Sequence, residues 1–281
     1  DSYFAALGIL KQDELTSEEF TNADTYHDDL LRVMNDVSPE TIQEVQDLLQ
    51  DMKDNVYSFE TDSGKADMVS GKVLANYQWS GDAVYAMDQA EEDDLYLDFA
   101  VPKESTNLWF DGWVMLKDGI DEDARKQQVA ESFVNFLSRP DNAVRNMYYI
   151  GYTSVIAGGE DDNTVFDYLN WNYGGEEDTT EYPLGYFFSG DNSDPDYIIT
   201  APEEQTRRQL YAQYPDEAAI ERSAIMQYFD ADASKRINQM WINVRCYNIK
   251  DVTPQVWVIV VILILAAAGL IVHYKRSHYH S

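Results

Sequence analysis

The chain has 281 residues, with 51 acidic residues against 20 Lys and Arg, and its formal net charge is −31. This charge argues against nucleic-acid binding, which needs cationic groups to displace counterions from phosphates, and fits a solvated extracellular surface or a cationic ligand. The single cysteine, Cys246, excludes an internal disulfide, so the fold has to be held by its hydrophobic core.

The beginning of the chain predicts helices with recognisable starts. Residues 1–10 have a helical pattern, and Thr16-Ser17-Glu18-Glu19 has the form of a capping box. Ser38-Pro39-Glu40 is a strong helix start, with Ser as the N-cap and Pro at the first helical position. Apolar residues recur at helical spacing from Ile42 to Met52, which predicts one buried face.

Four later segments predict β-strands. They are residues 56–59, 72–79, 95–101 and 108–116. In the second segment, alternation places Val73, Tyr77 and Trp79 on one face. Trp79-Ser80-Gly81-Asp82 then leads into a helix over 83–90. A strand, a tight Gly turn and a helix together hold ligand pockets in α/β folds, although no phosphate-binding motif accompanies them here.

The stretch around Trp109-Phe110-Asp111 is the main candidate for function. If it is extended, the Trp109 indole and the Asp111 carboxylate lie on the same side, two residues apart. An aromatic face beside a carboxylate attracts an organic cation through both the ring quadrupole and the negative charge. The alternative is that Trp109 is a core residue and Asp111 caps a turn.

Helices are predicted again after Gly119, one running to Leu137 and another from Pro140 to Ile150. The apolar residues of the first share one face and are predicted to be buried. They are Val129, Phe133, Phe136 and Leu137.

Residues 158–200 are rich in Asp, Glu, Gly, Asn and aromatics, and predict a loop-rich acidic insertion. Its Asp and Asn residues between 191 and 196 could bind Ca²⁺, but their spacing does not match an EF-hand loop, and no metal or cofactor is predicted. Residues 201–250 return to helical periodicity, with helices over 203–213 and 217–245.

The C-terminal segment 256–272 has 17 residues without a charge and is followed by Lys275 and Arg276. It predicts a transmembrane helix, with a buried core helix as the alternative. The positive-inside rule then places residues 273–281 in the cytoplasm and the main domain outside the cell. The absence of an initiator Met and of a signal peptide predicts that the chain is part of a longer protein.

With these elements in order, the chain resembles the spermidine/putrescine-binding proteins of bacterial ABC uptake systems. The matching motifs are Trp79-Ser80-Gly81-Asp82-Ala83, Pro102-Lys103-Glu104 followed by Trp109-Phe110-Asp111, and the segment from Phe136-Leu137-Ser138-Arg139-Pro140-Asp141 to Ile150-Gly151-Tyr152. They follow one another in the family's order and at nearly its spacing. The resemblance covers residues 1–152 well and 214–245 loosely. The family's Pro-Asn after Gly-Tyr is replaced by Val155-Ile156.

The resemblance implies an α/β fold of the periplasmic-binding-protein type (type II), of which residues 1–157 would be the second lobe and the first lobe would lie upstream. It implies that Trp79, Trp109 and Tyr152 form aromatic walls and that Asp111 clamps a ligand amine. Asp1 would be a second acidic contact and Gln227 a further contact. No residue is implied to be catalytic.

The implied function is capture of spermidine or putrescine outside a bacterial cell membrane and delivery to an ABC permease, possibly fused upstream, and through it to an ATPase. Alternatives stay open at this point. The same fold could bind iron, thiamine or a sugar, and the many carboxylates also allow a cell-surface glycoside hydrolase or an adhesin.

Overall fold

The computed structural model describes residues 1–120, 124–158, 164–246, 258 and 261–265. Its contacts divide the chain into two units. One comprises residues 1–36 and 57–228, and the other residues 37–56 and 229–281.

The described part of the chain is mainly helical. Its α-helices are α1 (Ser2–Leu10), α2 (Gln12–Leu15), α3 (Glu18–Thr21), α4 (Tyr26–Met34), α5 (Pro39–Lys53), α6 (Gly64–Val69), α7 (Ser80–Glu91), α8 (Lys117–Ile120), α9 (Ala124–Leu137), α10 (Pro140–Ile150), α11 (Thr164–Tyr173), α12 (Gly185–Ser189), α13 (Gln209–Gln213), α14 (Glu217–Glu221) and α15 (Ala231–Arg245). Its strands are β1 (Thr106–Asn107), β2 (Thr179–Pro183), β3 (Ile198–Pro202) and β4 (Ser223–Ala224). Two 3₁₀ helices span Pro195–Tyr197 and Glu203–Arg207.

The predicted helix start at Ser38 is confirmed, whereas the predicted capping box Thr16-Ser17-Glu18-Glu19 is replaced by a single cap from Ser17. The Ser17 hydroxyl accepts the N–H of Phe20 at 3.2 Å and so caps α3. The Ser38 hydroxyl likewise accepts the N–H of Thr41 at 3.3 Å, and Pro39 opens α5. The C-terminal end of α10 is at Gly151, as predicted. The φ of Gly151 is +72°, the left-handed conformation that glycine adopts without a Cβ penalty.

None of the four predicted strands is found. In place of four strands between residues 56 and 116, the described structure has only the two-residue β1, which pairs in parallel with β4. Alternating polarity predicts a strand only if a neighbouring strand completes its hydrogen bonds and covers one face. Neither condition holds for 72–79, where Leu74 is 95% exposed and Tyr77 47%. The first unit therefore mixes helices with two short strand pairs and has no extended parallel sheet among its described residues.

The face of α9 that was predicted to be buried is largely exposed. Val129 is 60% exposed, and Phe133 and Phe136 are each 53% exposed. The periodicity identified the helix correctly, and its end at Leu137 is confirmed. Among the described residues, Trp113 is the one aromatic whose ring contacts this apolar face. It meets the Phe133 ring edge to face, with centroids 5.8 Å apart.

The acidic segment 158–200 is more ordered than predicted. Its described part carries α11 and α12, and β2 pairs with β3 in an antiparallel register that places Tyr182 opposite Ile199. These elements pack with α13 around an apolar core. Its buried members are Met147, Val165, Leu169, Tyr173, Tyr182, Leu184, Ile199, Ala201, Leu210 and Tyr214. Two of its aromatics, Tyr173 and Tyr182, are core residues whose hydroxyls find partners: Tyr173 donates to Gln213 Oε1 at 2.8 Å and Tyr182 to the Tyr214 carbonyl at 2.6 Å.

The second unit is built on a helix pair, in which α5 packs against α15. Ile42, Val45 and Leu49 are buried on α5, and Met240 and Val244 on α15. The predicted continuous helix over 217–245 is wrong, because α14 ends at Glu221 and β4 follows it. A new helix begins only where the Asp230 carboxylate accepts the N–H of Ala233 at 2.7 Å.

The predicted membrane span over 256–272 lies mainly outside the described residues. Residues 258 and 261–265 are described, and they are helical. Within the described ranges, no helix has both the length and the apolar character that a bilayer crossing requires.

Candidate functional site

The Asp1 carboxylate joins two parts of the first unit. Its Oδ2 accepts a hydrogen bond from Trp79 Nε1 at 2.7 Å, and its Oδ1 accepts one from Asn107 Nδ2 at 2.9 Å. Trp79 is the N-cap residue of α7, and Asn107 belongs to β1. Since both donors are neutral, the carboxylate is oriented without losing its negative charge.

Trp109 and Tyr152 form an aromatic pair. Their ring centroids are 5.6 Å apart with an interplanar angle of 67°, an edge-to-face arrangement. Trp109 follows β1 by two residues, and Tyr152 follows the left-handed Gly151 that ends α10. Both side chains are half-buried, so each presents part of its ring to solvent.

Gly81 makes room for the Tyr152 ring. A Cβ at position 81 would lie 2.1 Å from Tyr152 Cδ2, well inside van der Waals contact. The ring thus lies directly over the first turn of α7, and this packing is possible only because residue 81 has no side chain.

The hydroxyl of Tyr152 donates to Asp82 Oδ1 at 3.0 Å. Asp82 lies in the first turn of α7 and is only 8% exposed, and Lys65 Nζ on α6 is 3.1 Å from the same oxygen. Burial raises the pKa of Tyr152 above its ordinary value, and the hydrogen bond to Asp82 and the negative charges of Asp82 and Asp111 raise it further. Tyr152 is therefore a fixed hydrogen-bond donor, and Asp82 is a buried carboxylate with an internal cation.

Asp111 follows Trp109 by two residues, and its negative charge is one of the causes of the raised Tyr152 pKa. Its side chain is exposed, and no hydrogen bond or ion pair to its carboxylate is found among the described residues. Asp111 is thus an exposed carboxylate, two residues after Trp109, whose hydrogen-bonding capacity is open to a ligand.

Five of the six predicted site residues come together in this way. We call the group the aromatic–acid cluster. It consists of Asp1, Trp79, Asp82, Trp109, Asp111 and Tyr152. The sixth predicted residue, Gln227, has its described contact elsewhere, because its backbone N–H donates to Asn35 Oδ1 at 2.7 Å. A ligand role for Gln227 stays a prediction.

Sequence reasoning missed several residues of the site. Asp82 and Gly81 lay inside the motif from Trp79 to Ala83, and the match of that motif could have drawn attention to them. Asn107 and Lys65 carried no signal, since an isolated amide or lysine in an uncertain loop looks like an ordinary surface residue.

The chemistry of the cluster suits an organic cation. Aromatic faces attract cations and cover methylene groups, and carboxylates form charge-assisted hydrogen bonds with ammonium groups. Within the described residues, no group of His, Cys, Asp and Glu has the arrangement of a metal site.

A known protein family matches more than half of the chain. The family described as bacterial extracellular solute-binding protein matches residues 7–168, a range that contains the whole cluster except Asp1. The putrescine/agmatine-binding protein of Pseudomonas aeruginosa is 27% identical over 120 residues, which cover 42% of this chain and 31% of that protein. The alignment thus spans about a third of the relative's length.

Proposed function

Since the chain belongs to the family of bacterial extracellular solute-binding proteins, we propose that its solute is a polyamine of the putrescine and spermidine class and that it delivers this solute to an ABC permease. The family's function is binding rather than catalysis, which removes the glycoside hydrolase from consideration. It also supports a small-molecule ligand and an ABC transporter as partner.

The observation that supports the polyamine assignment is the Trp109–Tyr152 ring pair together with the exposed Asp111, two residues after Trp109. A polyamine has ammonium groups separated by methylenes, so its site needs carboxylates for the charges and apolar faces for the carbon chain. Asp111 and Asp1 supply carboxylates whose described partners, where they have any, are neutral. Trp109 and Tyr152 supply the faces. The relative named for putrescine and agmatine supports the same class.

The test is a calorimetric titration of the 281-residue protein with putrescine, spermidine and a neutral sugar. We expect saturable heat with the amines and none with the sugar. Absence of amine-dependent heat would contradict the proposal. If the protein instead binds a neutral solute, and Asp111→Asn does not change that affinity, the ligand belongs to another class.

We also propose that residues 256–272 anchor the protein in the membrane, with the binding domain outside. The uncharged sequence and the basic residues after it support this topology. Cys246 is exposed and is the single cysteine of the chain, so it can report the topology. A membrane-impermeant maleimide should label Cys246 in intact cells. In a Cys246→Ser, Ser281→Cys variant, labelling should require permeabilisation, and labelling of residue 281 in intact cells would contradict the proposed orientation.

A further inference from the structure

Lys65 places a cation inside the aromatic–acid cluster. Its Nζ lies 3.1 Å from Asp82 Oδ1, the oxygen that also accepts the Tyr152 hydroxyl at 3.0 Å. The Lys65 side chain is 32% exposed and that of Asp82 11%, so this ion pair is shielded far better than an ordinary surface pair. The packing of α6 against α7 holds the two residues together.

The chemistry of this contact resembles that of the proposed ligand. A lysine side chain is a primary ammonium at the end of four methylenes, which is the same group that ends a polyamine. Lys65 Nζ also lies 6.0 Å from the centroid of the Tyr85 ring, at the limit of a cation–π contact. Asp82 and its aromatic surroundings thus already hold an ammonium that belongs to the protein.

We propose that Lys65 is a specificity-determining residue that occupies Asp82 as an internal ammonium and makes the site selective for diamines over triamines. This inference rests on the proposed function. With Asp82 neutralised, Asp1 and Asp111 are the cluster carboxylates left for a ligand, which matches two ammonium groups. The third ammonium of a triamine would meet the like charge of Lys65 in a partly buried place, where repulsion is poorly screened.

The test compares the wild-type 281-residue protein with Lys65→Met and Lys65→Arg. Lys65→Met retains most of the side-chain volume but lacks the charge, and Lys65→Arg keeps the charge. The affinities for putrescine and spermidine are measured by calorimetry, and the thermal unfolding of each variant is followed by circular dichroism. We expect the wild type to prefer putrescine. Lys65→Met should shift the ratio of the two affinities toward spermidine by about tenfold, the effect of one charge-assisted hydrogen bond. Lys65→Arg should keep the wild-type ratio.

Two further variants make the result decisive. If Lys65→Met does not fold, Lys65→Gln removes the charge while leaving an amide that can donate to Asp82, and the same shift is expected. Adding Asp82→Asn to either variant should abolish the gain for spermidine, since the freed carboxylate is then absent.

The outcomes separate the two proposals. A wild-type protein that binds no amine would contradict the proposed function itself. A wild-type protein that binds amines, together with a folded Lys65→Met or Lys65→Gln variant of unchanged preference, would overturn the role of Lys65 and leave the polyamine assignment standing.

Discussion

The Trp79 indole donates its Nε1–H to the Asp1 carboxylate at 2.7 Å, and this bond joins the residue before α1 to the N-cap residue of α7. The bond orients an anion with a neutral donor. It therefore fixes a carboxylate for a ligand and leaves its charge in place, whereas a lysine or arginine partner would neutralise that charge.

Trp79→Phe tests this relationship. The variant keeps an aromatic ring but removes the donor, so we expect ligand affinity to fall by about 3- to 10-fold and stability by about 1 kcal/mol. Calorimetry and urea unfolding measure the two effects. Trp171→Phe is the matched control, because Trp171 is 72% exposed and its described ring contact is with Tyr168, away from the cluster. Equal losses in both variants would show that the Trp79 bond has no special role.

Gly81→Ala tests the packing of the Tyr152 ring on α7. The new Cβ would lie 2.1 Å from Tyr152 Cδ2, so the ring has to leave its position, and we expect a loss of about 1–3 kcal/mol together with weaker ligand binding. Gly112→Ala is the control, since a Cβ there has no neighbour within 4 Å. Combining Gly81→Ala with Tyr152→Ala should cost less than the sum of the two single changes. Strict additivity in urea unfolding would argue against the contact.

Tyr152→Phe separates the hydroxyl from the ring. The ring contact with Trp109 remains, but the Asp82 carboxylate loses one of its two described donors, so a loss of about 1–2 kcal/mol is expected. Affinity should fall less than in Tyr152→Ala, which removes the aromatic wall as well. Tyr149→Phe, at a residue that is 83% exposed, is the control. If Tyr152→Phe and Tyr152→Ala bind the ligand equally poorly, the hydroxyl rather than the ring face is what the ligand needs.

The sequence predicted best what is decided locally. The Ser38 cap and the Gly151 stop depend on a short-range hydrogen bond or on a single backbone conformation, and both are confirmed. A helix also begins at the predicted capping box, but its cap is Ser17 and not Thr16. The strands failed because a strand depends on a distant partner that alternation cannot reveal. The pairing of Thr106 with Ser223, more than a hundred residues apart, is a case in which neither segment signals the other.

The residues of the candidate site also differ in whether the sequence could predict them. The residues predicted by resemblance, such as Trp109 and Tyr152, share recognisable motifs, and the structure brings their rings together. Lys65 could not be predicted, because its role exists only once α6 packs on α7 and places its ammonium on Asp82. The amino-acid sequence has no spacing or motif that signals an ion pair formed only by tertiary contact, as between Lys65 and Asp82.

Alkaline pH should destabilise the protein in a defined direction. Burial raises the pKa of several tyrosines above the ordinary value, to about 12 for Tyr168, and Tyr182 and Tyr214 are shifted upward as well. The folded state therefore keeps these protons at a pH where the unfolded state releases them. Their contribution to stability is fully present below about pH 10 and is lost as the pH rises through the folded-state pKa values.

Urea unfolding between pH 8 and pH 11.5 measures this loss. We expect stability to decline above about pH 10. Tyr182→Phe should make the decline shallower, although it lowers stability at neutral pH because the bond to the Tyr214 carbonyl is lost. Tyr228→Phe is the control at a residue that is 91% exposed, and it should leave the pH dependence unchanged. A flat profile up to pH 11.5 would show that these tyrosines ionise alike in both states.

Asp111→Asn and Asp1→Asn distinguish the two carboxylates of the proposed site. Asp111 has no described partner of its own, so its replacement should remove a ligand contact with little change in stability. Asp1 holds Trp79 and Asn107, so its replacement should weaken binding and also loosen the start of α7. We expect Asp111→Asn to reduce amine affinity by at least tenfold with an unchanged unfolding midpoint. Asp1→Asn should lower both affinity and midpoint. Asp118→Asn, at an exposed position on α8, is the control for the loss of one negative charge. If Asp118→Asn weakens amine binding as much as Asp111→Asn does, the attraction comes from the net charge of −31 and not from a built site.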